Sequence, residues 1–322
     1  MNQERHWALG WQEDPPDDRD WTPERTEVRN LFRDPIYGLQ PQEETYERHV
    51  DLLKHFSPIE HQGGLQSCTA HTGVGLLEYF ERKTRLFHAD ASRLFLFYVT
   101  RVIVMGRPPD EDKGTDLRAT MVAMADHGVA PEELWPYTET EFNERPCDAA
   151  WKAAKERQAL VYYRLDRPED LPKSELLNRV KKYIDAGFPS MFGFKIFECA
   201  VKDEVWDSGL IPFPRDSSES DKGHAVIALG YDDHKIIASE NGKPTEGALL
   251  IRNSWGTIWG DQTIRGGRKK DNYKYGGYGW LPYKYVEEGL TRDWWTLIKA
   301  EWVETPEFRE GFRIPIDPDL LL

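Results

Sequence analysis

The order of hydrophobic patterns along the chain constrains the fold more than any other feature. Apolar residues recur at spacings of three and four in residues 68–83, 91–104 and 115–127, which predicts helices, and one more helix is predicted at 174–186. Short apolar runs between Gly, Pro and Asp clusters predict strands at 190–196, 224–231, 248–251 and 277–282, the last leading into 283–286. Helices followed by strands predict an α+β fold with a helical lobe, a β-rich lobe and a cleft between them.

Composition narrows the possible partners. The chain has 322 residues, of which 39% are hydrophobic and 12% aromatic, enough for a substantial core. Its net charge of −14 disfavours general binding to nucleic acid or to anionic membranes. No apolar stretch approaches the roughly 20 residues that a membrane span needs. We therefore expect neither a nucleic-acid nor a membrane partner, and the sequence leaves the oligomeric state open.

The cysteines indicate the cellular setting. Cys68, Cys147 and Cys199 form an odd, sparse set that does not resemble a disulfide framework. The first residues contain no apolar run of signal-peptide type, so we expect a reducing, cytoplasmic location. No set of Cys, His and carboxylate residues has zinc-site spacing and no phosphate-binding glycine loop occurs, so no metal or cofactor is expected.

Three regions are predicted along the chain. Residues 1–50 are polar, acidic and proline-bearing, which indicates an N-terminal arm or leader. Residues 51–300 form the main domain, with a helical lobe at about 58–160 and a β-rich lobe at about 161–300. Residues 301–322 are a C-terminal tail, and 262–276 form a basic loop that could bind acidic partners or simply be solvated. The arm or the tail could lie over the cleft and restrain activity, or pack away from it.

Cys68 is a candidate nucleophile because it begins a predicted helix. There the helix dipole and unpaired backbone N–H groups favour a thiolate and lower the thiol pKa. The alternative is a small buried hydrophobe, as most free cysteines are. Gln62 lies six residues earlier, before Gly63 and Gly64. Its amide could donate to a developing oxyanion together with the Cys68 N–H, although the motif alone indicates only a loop.

His224 and Asn253 are candidate partners of this cysteine. His224 begins an apolar strand, and Asn253 ends another strand just before Trp255. An asparagine carbonyl can accept from one imidazole nitrogen and fix the tautomer, and a neighbouring indole can shield that bond from water. Taken singly, the two residues could equally be a strand-end histidine and a turn asparagine.

Together these motifs resemble the papain family of cysteine peptidases. The resemblance rests on Gln62 to Cys68, on His224 between Gly223 and Ala225, and on Asn253-Ser-Trp-Gly with a second Trp-Gly soon after, in the order Cys, His, Asn. Residues 279–286 look like the closing strand of that family. The resemblance implies that Cys68 attacks, His224 moves the proton, Asn253 orients His224, and Gln62 contributes to the oxyanion hole. It also implies that Trp255 covers the His224–Asn253 pair, and that Gly114 pairs with the substrate backbone.

Several positions depart from the family pattern. Thr69 stands where an aromatic residue usually follows the nucleophile, and Leu65 stands where secreted members carry a disulfide cysteine. Residues 232–247 are predicted as an extended turn in an unusually long gap between the histidine and the asparagine. The opening, with Gly10-Trp11 and then Asp17 to Asp20, is similar to that of bacterial members without a long helical prosegment.

We expect an active cysteine endopeptidase that acts on a peptide or protein. Thr69 and the divergent loops keep open a catalytically inactive relative that binds peptides. An acyl-transfer or ligase variant on the same fold is the other alternative. His71 lies three residues after Cys68 on the same predicted helix face, but a packed or solvent-facing histidine is the simpler interpretation.

Overall fold

The computed structural model describes residues 8–31, 49–85, 90–158, 161–168, 171–216, 220–264 and 276–298. The main helices lie in the first half of this part, as predicted. The helices are α1 (Thr26–Leu31), α2 (Cys68–Arg85), α3 (Arg93–Tyr98), α4 (Leu117–His127), α5 (Asp148–Ala154), α6 (Lys173–Asp185), α7 (Asp203–Ser208) and α8 (Lys284–Glu287). A π-helical turn, Val99–Val104, directly follows α3.

The second half of the chain forms most of one antiparallel sheet. Its strands are β1 (His49–Asp51), β2 (Val161–Arg164), β3 (Ser190–Lys195), β4 (Gly223–Ile237), β5 (Thr245–Arg252), β6 (Tyr278–Pro282) and β7 (Thr291–Ile298). Their order is β2-β7-β3-β4-β5-β6, and β1 pairs with β4. The helices and the antiparallel sheet confirm the predicted α+β fold.

Helix α2 joins the two layers because it packs against β3 and β4. Its apolar stripe is fully buried and includes Val74, Leu77 and Phe80. Spacings of three and four place these side chains on one helix face. The buried helix thereby holds its first residue, Cys68, at the edge of the sheet where β4 begins.

Two sequence predictions differ from the structure. Residues 283–286, predicted to extend a strand, begin the single-turn helix α8, because β6 ends at Pro282 and Tyr283 already has helical torsion angles. Residues 232–247 are not an extended turn, since β4 continues to Ile237 and pairs there with Thr245 of β5. Strands β2 and β7 were not predicted. Strand β7 lies between β2 and β3, where Trp294 and Trp295 are fully buried.

The described part of the N-terminal arm, residues 8–31, lies against the main domain. Its Trp11 is buried, and Asp14 and Asp20 form ion pairs with Arg164 of β2. Asp20 also pairs with Arg118 of α4. The predicted tail, 301–322, and most of the basic loop lie outside the described residues. No helix in the described ranges is long and apolar enough to cross a membrane.

Candidate active site

Cys68 is the first residue of α2 and its side chain is fully buried. The backbone N–H groups of Ala225, Thr69 and Gly10 lie near its sulfur and favour the thiolate. Burial raises the thiol pKa to about 12, although these donors lower it. The lowered pKa predicted from the helix terminus is therefore not found in this arrangement, because the thiolate would be cut off from water.

The hydrogen bonds around Asn253 fix the tautomer of His224. Asn253 Oδ1 accepts from the backbone N–H of Ser254 at 2.7 Å, so this atom is the amide oxygen. His224 Nε2 lies 2.8 Å from the same oxygen and must therefore donate to it. The proton thus lies on Nε2, which leaves the lone pair on Nδ1. Nδ1 is buried and has no hydrogen-bond partner among the described residues.

Trp255 covers the imidazole of His224. The two rings are nearly parallel, with centroids 4.4 Å apart and an interplanar angle of 23°. Burial lowers the pKa of His224 to about 4, although the hydrogen bond that the ring donates to Asn253 raises it. His224 and Cys68 are therefore both neutral at pH 7. The backbone N–H of Ala225 lies near the Cys68 sulfur, so the residue next to the histidine adjoins the thiol.

Gln62 is held beside this group by the loop that follows β5. Its backbone N–H donates to the Ser254 carbonyl at 2.8 Å, and its Oε1 accepts from Ser254 Oγ at 2.5 Å. Because Oε1 is occupied, the side-chain amide presents Nε2 to the cleft. Nε2 donates to Leu65 O at 2.8 Å and to Ala8 O at 3.3 Å.

The N-terminal arm passes through this group of residues. The carbonyl of Ala8 accepts from Gln62 Nε2 and, at 3.1 Å, from Trp255 Nε1. Gly10 N–H contacts the Cys68 sulfur. Trp11 then forms a parallel bridge with Thr115, where Gln12 N–H donates to Thr115 O at 3.1 Å. A peptide segment therefore already occupies the cleft.

The segment around Gly114 forms one wall of the same cleft. A Cβ added at Gly114 would lie 1.8 Å from Gly10 O, so only glycine permits the arm to pass this closely. The backbone pairing itself is made by Thr115. Thr69, the departure after the nucleophile, is buried and its hydroxyl bonds that of Thr115. A small polar residue at 69 thus ties α2 to the wall of the cleft.

His71 lines a cavity together with Asn253 and Ser254. His71 is buried, and its ring packs edge-on against Tyr137 with centroids 5.0 Å apart. Burial lowers its pKa to about 3, so it is a packed, neutral histidine. Cys147 is exposed and Cys199 is buried, and all three cysteines are free thiols.

Sequence reasoning missed the contributions of Ser254, Thr115 and the arm. Ser254 supports both Gln62 and Asn253, but its only sequence signal is its position after the asparagine. Gly10-Trp11 was a sequence signal for the arm, but this motif did not predict what either residue contacts. Thr115 adjoins Gly114 in the sequence, and only the structure shows that Thr115 is the residue whose backbone pairs with the arm.

A family comparison identifies the class of protein. The model of the papain family cysteine proteases matches residues 48–275, and the chain belongs to this family. An uncharacterized peptidase C1-like protein of Acanthamoeba polyphaga mimivirus is 30% identical over 250 residues, covering 77% of this chain and 71% of that protein. Cathepsin K of Gallus gallus is 27% identical over 214 residues, covering 64% of this chain and 53% of its own length.

Solved structures show the same fold. Xylellain, a cysteine protease from Xylella fastidiosa, matches with a TM-score of 0.63 and 22% identity, covering 93% of this chain and 99% of that one. Digestive procathepsin L 3 of Tenebrio molitor larval midgut matches with a TM-score of 0.55 and 18% identity, covering 80% and 71%. The papain-like fold predicted from the motifs is therefore confirmed.

Proposed function

We propose that the protein is a cysteine endopeptidase that hydrolyses peptide bonds through a thioester on Cys68. The observation that carries this proposal is the tautomer of His224. Its Nε2–H is bound to Asn253, so its basic Nδ1 remains unpaired in a buried site beside the cysteine. An unpaired buried base is costly unless it has a partner in the working enzyme.

The first half of the proposed reaction forms the acyl-enzyme. His224 Nδ1 takes the proton from Cys68, and the sulfur attacks the carbonyl carbon of the scissile peptide bond. Gln62 Nε2 and the Cys68 N–H donate to the oxygen that becomes negative. As the tetrahedral intermediate collapses, His224 gives its proton to the leaving amine, and a thioester remains.

The second half of the reaction consumes water. His224 Nδ1 takes a proton from a water molecule, whose oxygen attacks the thioester carbon. Collapse releases the carboxylic acid product and returns the thiolate, which again pairs with protonated His224. Asn253 holds the imidazole in one orientation throughout, and Trp255 keeps water from their hydrogen bond.

The N-terminal arm keeps this site inactive in our account. Ala8 O occupies the proposed oxyanion donor and Gly10 presents an N–H to the sulfur. The sulfur therefore faces the Gly10 N–H in the closed arrangement. Activity requires the arm to leave, which also exposes Cys68 to water and lowers its pKa.

Hydrolysis of a fluorogenic peptide by the whole chain, and by Trp11→Ala as an opened form, tests the proposed function. Cys68→Ser in the opened form should abolish turnover, while the matched control Cys147→Ser should retain it. Turnover that persists without Cys68 would contradict the proposal. Separation of the products would distinguish internal cleavage from removal of terminal residues.

A further inference from the structure

A small cavity lies between the first half of α2 and the loop that follows β5. His71 and Gly75 line it on the helix side, and Asn253 and Ser254 line it on the loop side. Gly75 lies one helical turn after His71, on the same helix face. The volume of the cavity is about 10 Å³, close to the smallest space that holds one water molecule. The cavity therefore adjoins the residue that holds the imidazole of His224.

His71 brings an unpaired acceptor to this cavity. Its Nδ1 lies 3.1 Å from the carbonyl oxygen of Ser67, four residues earlier. A carbonyl can only accept, so Nδ1 carries the ring proton and Nε2 carries the lone pair. Nε2 is buried and has no hydrogen-bond partner among the described residues. A buried acceptor without a donor is costly, and a bridging water is the usual way in which proteins satisfy one.

The side-chain amide of Asn253 offers the matching donor. Within the described ranges its two hydrogen bonds, from Ser254 N–H and from His224 Nε2, both go to Oδ1. Neither bond uses the two hydrogens on Nδ2. Asn253 is buried and lines the cavity, so a partner for Nδ2 in the cavity would hold the amide plane and, with it, the oxygen that orients His224.

The charges around the cavity favour a neutral guest. The charged residues in its lining are two of each sign, namely Glu60, Glu78, Arg93 and Arg252. Arg93 Nη1 lies 3.5 Å from Glu60 Oε1, so these two side chains balance each other at the cavity wall. A water molecule needs two to four polar partners, and the Glu60 carboxylate supplies an acceptor in addition to His71.

We propose that the cavity binds one buried water, which accepts from Asn253 Nδ2–H and donates to His71 Nε2 and to Glu60. His71 is then a positioning residue for the His224–Asn253 pair, and this catalytic part of the inference rests on the proposed peptidase function. The water restrains rotation of the Asn253 side chain, so that Oδ1 keeps accepting from His224 while the imidazole moves protons.

Two variants at position 71 separate the roles of its ring nitrogens. Glutamine places an acceptor near the position of Nε2, whereas asparagine reproduces only the group at Nδ1. In the opened form, His71→Asn should lower kcat roughly threefold to tenfold with little change in KM, because one bridged hydrogen bond is lost. His71→Gln should recover most of this loss. Equal losses in the two variants would overturn the proposal.

A double-mutant cycle tests whether His71 acts through Asn253. Asn253→Ala removes the amide that the water holds, so His71→Asn should have no further effect on kcat in that background. A loss by the same factor in both backgrounds would show that His71 contributes only to general packing, and would overturn its positioning role.

The water itself is tested without any peptidase activity. A crystal structure of the full-length chain, at a resolution that shows ordered waters, should place one within hydrogen-bonding distance of both His71 Nε2 and Asn253 Nδ2. A cavity that holds no water there overturns the proposal, even if the variants slow turnover. A water at this position in a chain that hydrolyses no peptide would support the site and refute the proposed function instead.

Discussion

Replacement of Trp11 by alanine should open the cleft. The indole is 9% exposed and donates a hydrogen bond to buried Asp293. Truncation of a buried tryptophan costs about 3–5 kcal/mol, and here most of that cost falls on the closed position of the arm. A loss of about 3 kcal/mol raises the ratio of open to closed protein roughly a hundredfold.

The assay is the rate of iodoacetamide labelling of Cys68, located by mass spectrometry. In the closed form the thiol is covered by Gly10 and its pKa is raised, so labelling should be slow. Trp11→Ala should increase the rate by up to roughly a hundredfold, because only the open form reacts. The labelling rate of exposed Cys147 in the same sample measures the reactivity of the reagent, and this rate should not change.

Trp151→Ala is the matched control. Trp151 of α5 packs against Phe95 with ring centroids 5.0 Å apart, outside the cleft. Its loss should lower the melting temperature without speeding the labelling of Cys68. If both variants speed labelling equally, general loosening of the fold explains the effect. If Trp11→Ala labels at the wild-type rate, the arm does not restrain the site.

The remaining predictions concern the catalytic group and pH. In the opened form, Asn253→Ala should lower kcat roughly tenfold to a hundredfold, because the imidazolium of His224 loses its hydrogen bond. The pH–rate profile should shift as well. An unchanged profile would contradict an orienting role for Asn253. Gln62→Ala should lower kcat by roughly a hundredfold or more. The rate of labelling by iodoacetamide should change little, because that reaction needs no oxyanion donor. Equal losses in both assays would refute the role of Gln62 as an oxyanion donor. Burial raises the pKa of Asp14 and Asp293, so the closed arm binds protons more tightly than the open arm. Closure is therefore strongest below the ordinary aspartate pKa of 3.8 and weakens as the pH rises from there to about 6 for Asp14 and about 8 for Asp293. Asp14→Asn should reduce this change in labelling rate relative to Asp18→Asn, a control at an exposed carboxylate. Equal pH dependence in the two variants would exclude the buried carboxylates as its origin.

The fold was predictable because its determinants are local. The stripe of Val74, Leu77 and Phe80 specifies one buried helix face, and the alternation of apolar runs with turns marks β3 to β6. Strand β7 was missed because its Trp-rich residues are buried from both sides and carry Asp293, which does not look like a strand residue. Its position between β2 and β3 depends on pairings with residues 97 to 137 positions away.

The residue types of the candidate site could be predicted from the sequence, but their burial and the raised pKa of Cys68 could not. Cys68, His224, Asn253 and Gln62 lie together because separate motifs converge in space. The raised pKa of Cys68 comes from burial, and the arm lies against the site through contacts that have no periodic pattern in the sequence. Trp11 illustrates the limit, because it packs against Gly193 and Gly223, two glycines on strands far along the chain.

Trapping of the acyl-enzyme tests directly whether Cys68 forms a thioester with the substrate. Opened protein is mixed with a peptide ester, quenched in acid within milliseconds to seconds, digested and examined by mass spectrometry. We expect an added acyl group on Cys68 as a thioester, and no such group when His224→Ala is introduced into the opened form. An acyl group on Cys147 or Cys199, or rapid hydrolysis with no acyl group on Cys68, would contradict it.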